Sequence, residues 1–125
     1  MRLLLDTHAL IWLMEGNPRL NERAHSLIDS AAQVFFSSAS IWEVAIKSQL
    51  GKLRIDAQEL VELTQSAGLT ELPVKARHGV LAGSLPSLHR DPFDRMLIAQ
   101  TMTEPMRLLT ADVRLASYSE LVITM

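Results

Sequence analysis

A chain of 125 residues, 48% hydrophobic and 21% charged, has the size and make-up of one domain spanning residues 1–125. With no cysteine it has no disulfide, thiolate nucleophile or zinc ribbon, and a reducing cytoplasm is its simplest setting. A formal net charge of −2 gives no general grip on polyanions, so any contact with nucleic acid has to be local.

The chain begins with Arg2 and the apolar run Leu3-Leu4-Leu5, which stops at Asp6 and Thr7. Asp6 and His8 interrupt the run before it can serve as a signal peptide, and no small-residue cleavage site follows. No stretch reaches the roughly 18 apolar residues of a membrane span. The expectation is a soluble, cytoplasmic protein. Leu3–Leu5 predicts a strand, followed by helical patterns at Ala9–Met14 and Asn21–Ala32. A strand at Val34–Ser37 leads to a helix at Ala39–Leu50, and Ala57–Ser66 reads as the next helix. Thr70–Leu72 predicts a strand, Val74–Gly83 and Phe93–Met102 two helices. Strands at Leu108–Thr110 and Val122–Thr124 flank a short helix at Val113–Ser117. Strands alternating with helices need crossover connections. The expected class is therefore α/β, with three α/β/α layers around a mostly parallel five-stranded sheet. Ligands of such sheets bind outside the carboxyl ends of the strands, where Asp6 stands.

Three other acids occupy comparable places. Glu43 is embedded in Ile41-Trp42-Glu43-Val44-Ala45-Ile46 and shares a helix face with Ser40 and Lys47. A Glu43–Lys47 surface pair accounts for it in one reading; the apolar flanks argue for a buried helix instead. In "HRDPFDRMLIAQ" Asp91 reads as N-cap, Pro92 as N1 and Asp94 as N3. Capping accounts for Asp91. Asp94 either complements the helix dipole or, one turn before Leu97 and Ile98, points inward. In "RLLTADVRL" the strand ends at Thr110, and Asp112 is either an N-cap or a repeat of the opening pattern of strand, then acid, then helix.

If Asp6, Glu43, Asp94 and Asp112 converge, two carboxylates about 5 Å apart repel by about 3 kcal/mol at an effective dielectric near 20. Six such pairs approach about 20 kcal/mol on the same arithmetic. Protonation relieves that, and so does a divalent cation. Oxygen donors, with no histidine spaced for zinc, select Mg²⁺ or Mn²⁺, and a carboxylate–Mg²⁺ cluster suits phosphodiester hydrolysis. Basic residues gather between Lys75 and Arg95, including Arg77, His78, His89 and Arg90; a solvated face explains them equally well.

The stretches "LLLDTHALIW", "SSASIWEVAIKSQLGKL", "DPFDRMLIAQ" and "LLTADVRL" resemble those of the PIN-domain nucleases over essentially the whole chain. More narrowly, they look like the VapC-type ribonuclease toxins of bacterial toxin–antitoxin pairs. The resemblance implies that Asp6, Glu43, Asp94 and Asp112 are the catalytic and metal-holding quartet, accompanied by the small polar positions Ser40 and Thr110. It implies a Mg²⁺- or Mn²⁺-dependent endoribonuclease using metal-activated water, leaving a 5′-phosphate and a 3′-hydroxyl. It also implies a homodimer, and a separate antitoxin whose C-terminal segment lies along the toxin groove. Leu50 and Leu53 are expected to be exposed for that docking. His8, Arg90 and Arg95 are candidate substrate contacts, the two arginines offsetting the acids; for His8 a structural role competes. Trp12 and Trp42 either stack on RNA bases or, as their apolar helical settings favour, pack in the core.

Competing readings remain. An aspartyl-phosphate type of Mg²⁺-dependent phosphatase needs a second acid two residues after the first, where His8 stands. A receiver-like signalling module wants a lysine at the end of the last strand, and "LVITM" has none. A non-catalytic PIN-type fold that binds RNA or a partner also fits.

Overall fold

The short apolar runs at the centre of the sheet become strands buried on both faces, the arrangement a parallel sheet demands. The computed structural model describes residues 1–125. Its elements are β1 (Arg2–Leu5), α1 (Thr7–Glu15), α2 (Glu22–Ser30), β2 (Gln33–Ser37), α3 (Ser38–Gln49) and α4 (Ala57–Ser66). There follow β3 (Thr70–Leu72), α5 (Ala76–Ser84), α6 (Pro92–Thr103), β4 (Arg107–Thr110), a 3₁₀ turn (Val113–Ser117) and β5 (Val122–Thr124). The sheet order is β3-β2-β1-β4-β5, and every pair is parallel.

Alternation along the strands divides the core in two. Leu3, Leu5, Phe36 and Leu109 face α1 to α4, packing with Leu10, Leu20, Ala24, Val44 and Leu60. Leu4, Phe35 and Leu108 face the other way, against Leu97, Ile98, Leu85 and Leu115. The α/β/α layering expected from the sequence is the observed fold.

Local chemistry sets the helix ends. Asn21, Asp56 and Asp91 cap α2, α4 and α6 by accepting backbone N–H bonds, and Pro92 occupies the first turn of α6. The predicted start of α5 at Val74 is two residues early. Val74 N–H donates to Ser38 Oγ at 3.1 Å, outside any helix, and His78 Nδ1 accepts the Lys75 N–H at 2.8 Å to close the first turn. Fully buried Gln100 ties α6 to the sheet, its Oε1 accepting from Ser37 Oγ at 2.6 Å. No buried side-chain nitrogen or oxygen lacks a partner. No helix is long and apolar enough to cross a membrane.

Burial decides what substitutions cost. Leu4 is fully buried and Leu50 is 63% exposed. Leu4→Ala is expected to lower unfolding free energy by about 2–5 kcal/mol, and Leu50→Ala to change it by less than about 0.5 kcal/mol, both read from urea denaturation.

Candidate functional site

The strand order reverses between β1 and β4, so their carboxyl ends open a crevice. Leu5 pairs with Leu109, and the Asp6 N–H donates to Leu109 O at 3.0 Å, so Asp6 and Thr110 emerge side by side. Asp6 caps α1 through Oδ1, which accepts from Ala9 N at 2.8 Å. Its Oδ2 accepts from Thr110 Oγ1 at 2.5 Å. Burial pushes the Asp6 carboxyl up to about 6, while the Thr110 hydroxyl and the Ala9 amide pull the other way.

Helix α3 presents Ser40, Glu43 and Lys47 along one face, and Ser40 and Glu43 are buried. Glu43 Oε1 accepts from Thr7 Oγ1 at 2.6 Å, and that hydroxyl lies 2.9 Å from Ser40 Oγ. Glu43 Oε2 accepts from Lys47 Nζ at 2.5 Å. The pair expected on a surface thus has a buried carboxylate, and Glu43 raises the Lys47 ammonium above its ordinary range.

Asp94 lies in the first turn of α6, and its Oδ2 accepts from His89 Nε2–H at 2.8 Å. Burial lifts Asp94 above the usual carboxylate range, the His89 bond opposes this, and Asp91 adds to the rise. Asp112 caps the 3₁₀ turn and is gripped by Arg114, Nε to Oδ1 at 3.0 Å and Nη2 to Oδ2 at 2.8 Å. That bond holds its carboxyl below the usual range. The Asp112 N–H donates to Thr110 Oγ1 at 3.0 Å, so one hydroxyl serves both acids.

All four acids line one cleft of about 430 Å³, together with Asp91, His8, Trp12, Arg19, Lys47, His89 and Arg114. The expected crowding of negative charge is met partly by the protein itself: Lys47 faces Glu43, Arg114 faces Asp112 and His89 faces Asp94. Asp6 has no such partner.

The donor chemistry fits a divalent cation. One ligand atom each from His89, Asp94 and Asp112 lies within 4.8 Å of the others. Asp6 and Glu43 line the same cleft but are not part of that group, and loop 85–90 brings the His89 imidazole beside the oxygen donors. A mixed nitrogen and oxygen set suits Mn²⁺ as well as Mg²⁺. Each oxygen of Asp6 accepts one hydrogen bond and retains lone-pair capacity.

Other expectations are also revised. The Arg95 guanidinium points away from the acids: Nη2 donates to Ala82 O at 2.7 Å and Leu85 O at 2.9 Å, and Nη1 to Pro86 O at 3.0 Å. The Tyr118 hydroxyl joins it, donating to Pro86 O at 2.9 Å. These two side chains hold the loop that carries His89. Arg90 is exposed beside a smaller cleft and does not line the acidic one, whereas His8 does. Trp42 is 65% exposed rather than in the core, because α3 is covered on only part of its surface; its ring meets Phe93 edge-on at 5.5 Å. Leu53 packs partly against the core, and only Leu50 of the expected docking pair is exposed. Thr7, which the sequence reading did not single out, is the hydroxyl that orients Glu43; its place just after the capping Asp6 was the available signal.

A parallel sheet whose order reverses beside an acid-lined crevice is the arrangement of a PIN-like α/β protein. The chain belongs to the PIN-domain family, whose sequence model matches residues 3–121. It is similar to Ribonuclease VapC22 of Mycobacterium tuberculosis, 29% identical over 121 residues that cover 92% of this chain and 90% of that one. Its fold is similar to that in VapBC2 from Rickettsia felis bound to a promoter DNA fragment, with a TM-score of 0.70 at 14% identity, covering 100% of this chain and 98% of that one. A toxin–antitoxin complex from Klebsiella pneumoniae gives a TM-score of 0.69 at 16% identity, covering 98% and 96%. At these identities the two structures speak to the fold alone.

Two outcomes follow from the geometry. A carboxyl raised from 3.8 to about 6 binds more protons folded than unfolded, so its contribution to stability falls as pH rises through that interval. In metal-free protein, Asp6→Asn, which keeps the cap, is expected to gain stability over wild type by about 3 kcal/mol between pH 3.5 and pH 7.5, at about 1.36 kcal/mol per unit, measured by urea denaturation. Arg95→Ala is expected to speed tryptic cleavage after Arg90 by releasing the carbonyls of loop 85–90. Arg95→Lys, with three donors in place of five, should restore protection only in part.

Proposed function

We propose that this protein is a divalent-metal-dependent endoribonuclease, the toxin of a toxin–antitoxin pair, acting on RNA phosphodiester bonds in the cytoplasm. The observation that carries the reading is the placing of Asp6, Glu43, Asp94 and Asp112 on the wall of one cleft at the sheet's reversal point. The family match and the similarity to a protein named as a ribonuclease support the same reading.

In this proposal the four acids, with His89 beside them, hold Mg²⁺ or Mn²⁺. When bound, such an ion polarises the scissile phosphate and lowers the pKa of attacking water. The remaining work belongs to the chain. Thr110 fixes the rotamer of Asp6, and Thr7 with Ser40 does the same for Glu43. Lys47 and Arg114 lower the net negative charge that an incoming phosphate meets.

A protein partner is supported by two observations. The similar fold from Klebsiella pneumoniae is that of a toxin–antitoxin complex, and the one from Rickettsia felis is VapBC2 bound to a promoter DNA fragment. Beside the acids lies an apolar cleft of about 610 Å³ lined by Trp42, Val74, Pro92, Phe93 and Met96. An antitoxin and a second copy of the chain are the proposed occupants of such exposed apolar surface.

The test is cleavage of single-stranded RNA. Activity is expected with Mg²⁺ or Mn²⁺, none in EDTA, and a loss of at least about 100-fold in Asp6→Asn and Asp94→Asn. Thr110→Val, which removes only the orienting hydroxyl, is expected to cost about 10- to 100-fold in activity or metal affinity. Cleavage that survives EDTA, or an Asp6→Asn variant at wild-type rate, removes the proposal.

A further inference from the structure

Three cations line the acidic cleft, and two of them are spent on acids, Lys47 on Glu43 and Arg114 on Asp112. Arg19 forms no ion pair. Its guanidinium stands 6.0 Å from the centroid of the Trp12 ring, and the His8 ring lies 5.9 Å from the same indole, tilted by 48°. All three side chains line the cleft that contains Asp6.

The segment bearing Arg19 is built to stay in place. Gly16 ends α1 in the left-handed region at φ 64°, a conformation that favours glycine. The Asn17 N–H then donates to Trp12 O at 2.9 Å, and Asn17 Oδ1 accepts the Arg19 N–H, also at 2.9 Å. Leu20, the next residue, is buried. The backbone of Arg19 is therefore fixed while its guanidinium is exposed, with no side-chain hydrogen bond. A guanidinium beside an aromatic ring and free of hydrogen-bonded side-chain partners keeps its N–H donors available for a phosphate.

We infer that Trp12, His8 and Arg19 form a nucleotide subsite for single-stranded RNA. The aromatic wall stacks on an unpaired base next to the scissile position, and Arg19 takes a flanking phosphate. An indole, an imidazole and an unpaired guanidinium on one wall match an unpaired nucleotide, which offers a π-face and an anion together. A base held inside a duplex offers no free face, so the subsite selects unpaired segments. This inference rests on the nuclease reading for its substrate class, and its test separates the two.

The chain has two tryptophans, and Trp42→Phe leaves Trp12 as the only one. In that background, with Asp6→Asn added to prevent cleavage and Mg²⁺ present, a short mixed-sequence single-stranded RNA is titrated against tryptophan fluorescence. Saturable quenching is expected, and an abasic oligonucleotide with the same phosphates should leave the emission unchanged. Trp12→Leu is expected to weaken binding about 5- to 150-fold, read by anisotropy of labelled RNA. Arg19→Ala, which removes an exposed guanidinium and its contact with the Trp12 ring, should lower the slope of log affinity against log salt by about 0.7. RNA cleaved by wild type with no quenching of Trp12, or equal quenching by the abasic strand, overturns the subsite and leaves the nuclease reading standing. Base-dependent quenching in a chain that cleaves no RNA supports the subsite and overturns the nuclease reading.

Discussion

The pairing of Leu5 with Leu109 decides where the chemistry of this protein is found. Two parallel strands in that register deliver their next residues, Asp6 and Thr110, to the same point above the sheet. Because the chain runs outward from β1 to β2 and β3 on one side and to β4 and β5 on the other, no crossover covers that point. The helices that follow β1 and β2 start there, and α6 reaches it with its first turn. Acids at the starts of α1 and α6 consequently cap or complement a helix while facing a common space.

Charge balance in that space is achieved residue by residue. Glu43 has an ammonium, Asp112 a guanidinium and Asp94 an imidazole, each within 2.8 Å. Asp6 is left with a hydroxyl and a backbone amide, neither of which carries charge, and it is the acid whose carboxyl rises to about 6. Burial is the largest cause of the rise at Asp6, and it also lifts Asp94, where the His89 bond opposes it. The acid without an ion pair is also the one at the carboxyl end of the central strand.

Much of this was legible in the sequence, for identifiable reasons. Strands buried on both faces read as short apolar runs, and residues such as Asp91 and Pro92 announce a helix start through local hydrogen bonding that involves nothing distant. The four acids were visible because ionised side chains amid apolar residues conflict with a core. His89 was not, since its approach to Asp94 depends on the carbonyls of loop 85–90 being gathered by Arg95 and Tyr118, a tertiary event with no periodic signature. Arg95 misled for the same reason: a cation near acids in sequence reads as a substrate contact until its donors are counted. Trp42 misled because hydrophobic patterning gives the composition of a helix face without saying whether another element covers it.

That exposed face bears on the acids directly. Trp42 and Phe93 line the apolar cleft, while their chain neighbours Glu43 and Asp94 line the acidic one. The wall between the two clefts is therefore made of consecutive residues on α3 and α6, and the edge-on contact of Trp42 with Phe93 braces the two helices against each other on the apolar side. Successive residues on a helix point about 100° apart, so a rotation of either helix that moves one side chain of the pair moves the other. Trp42 and Glu43 are carried by one helix backbone, as are Phe93 and Asp94, and each pair puts an apolar side chain in one cleft and an acid in the other.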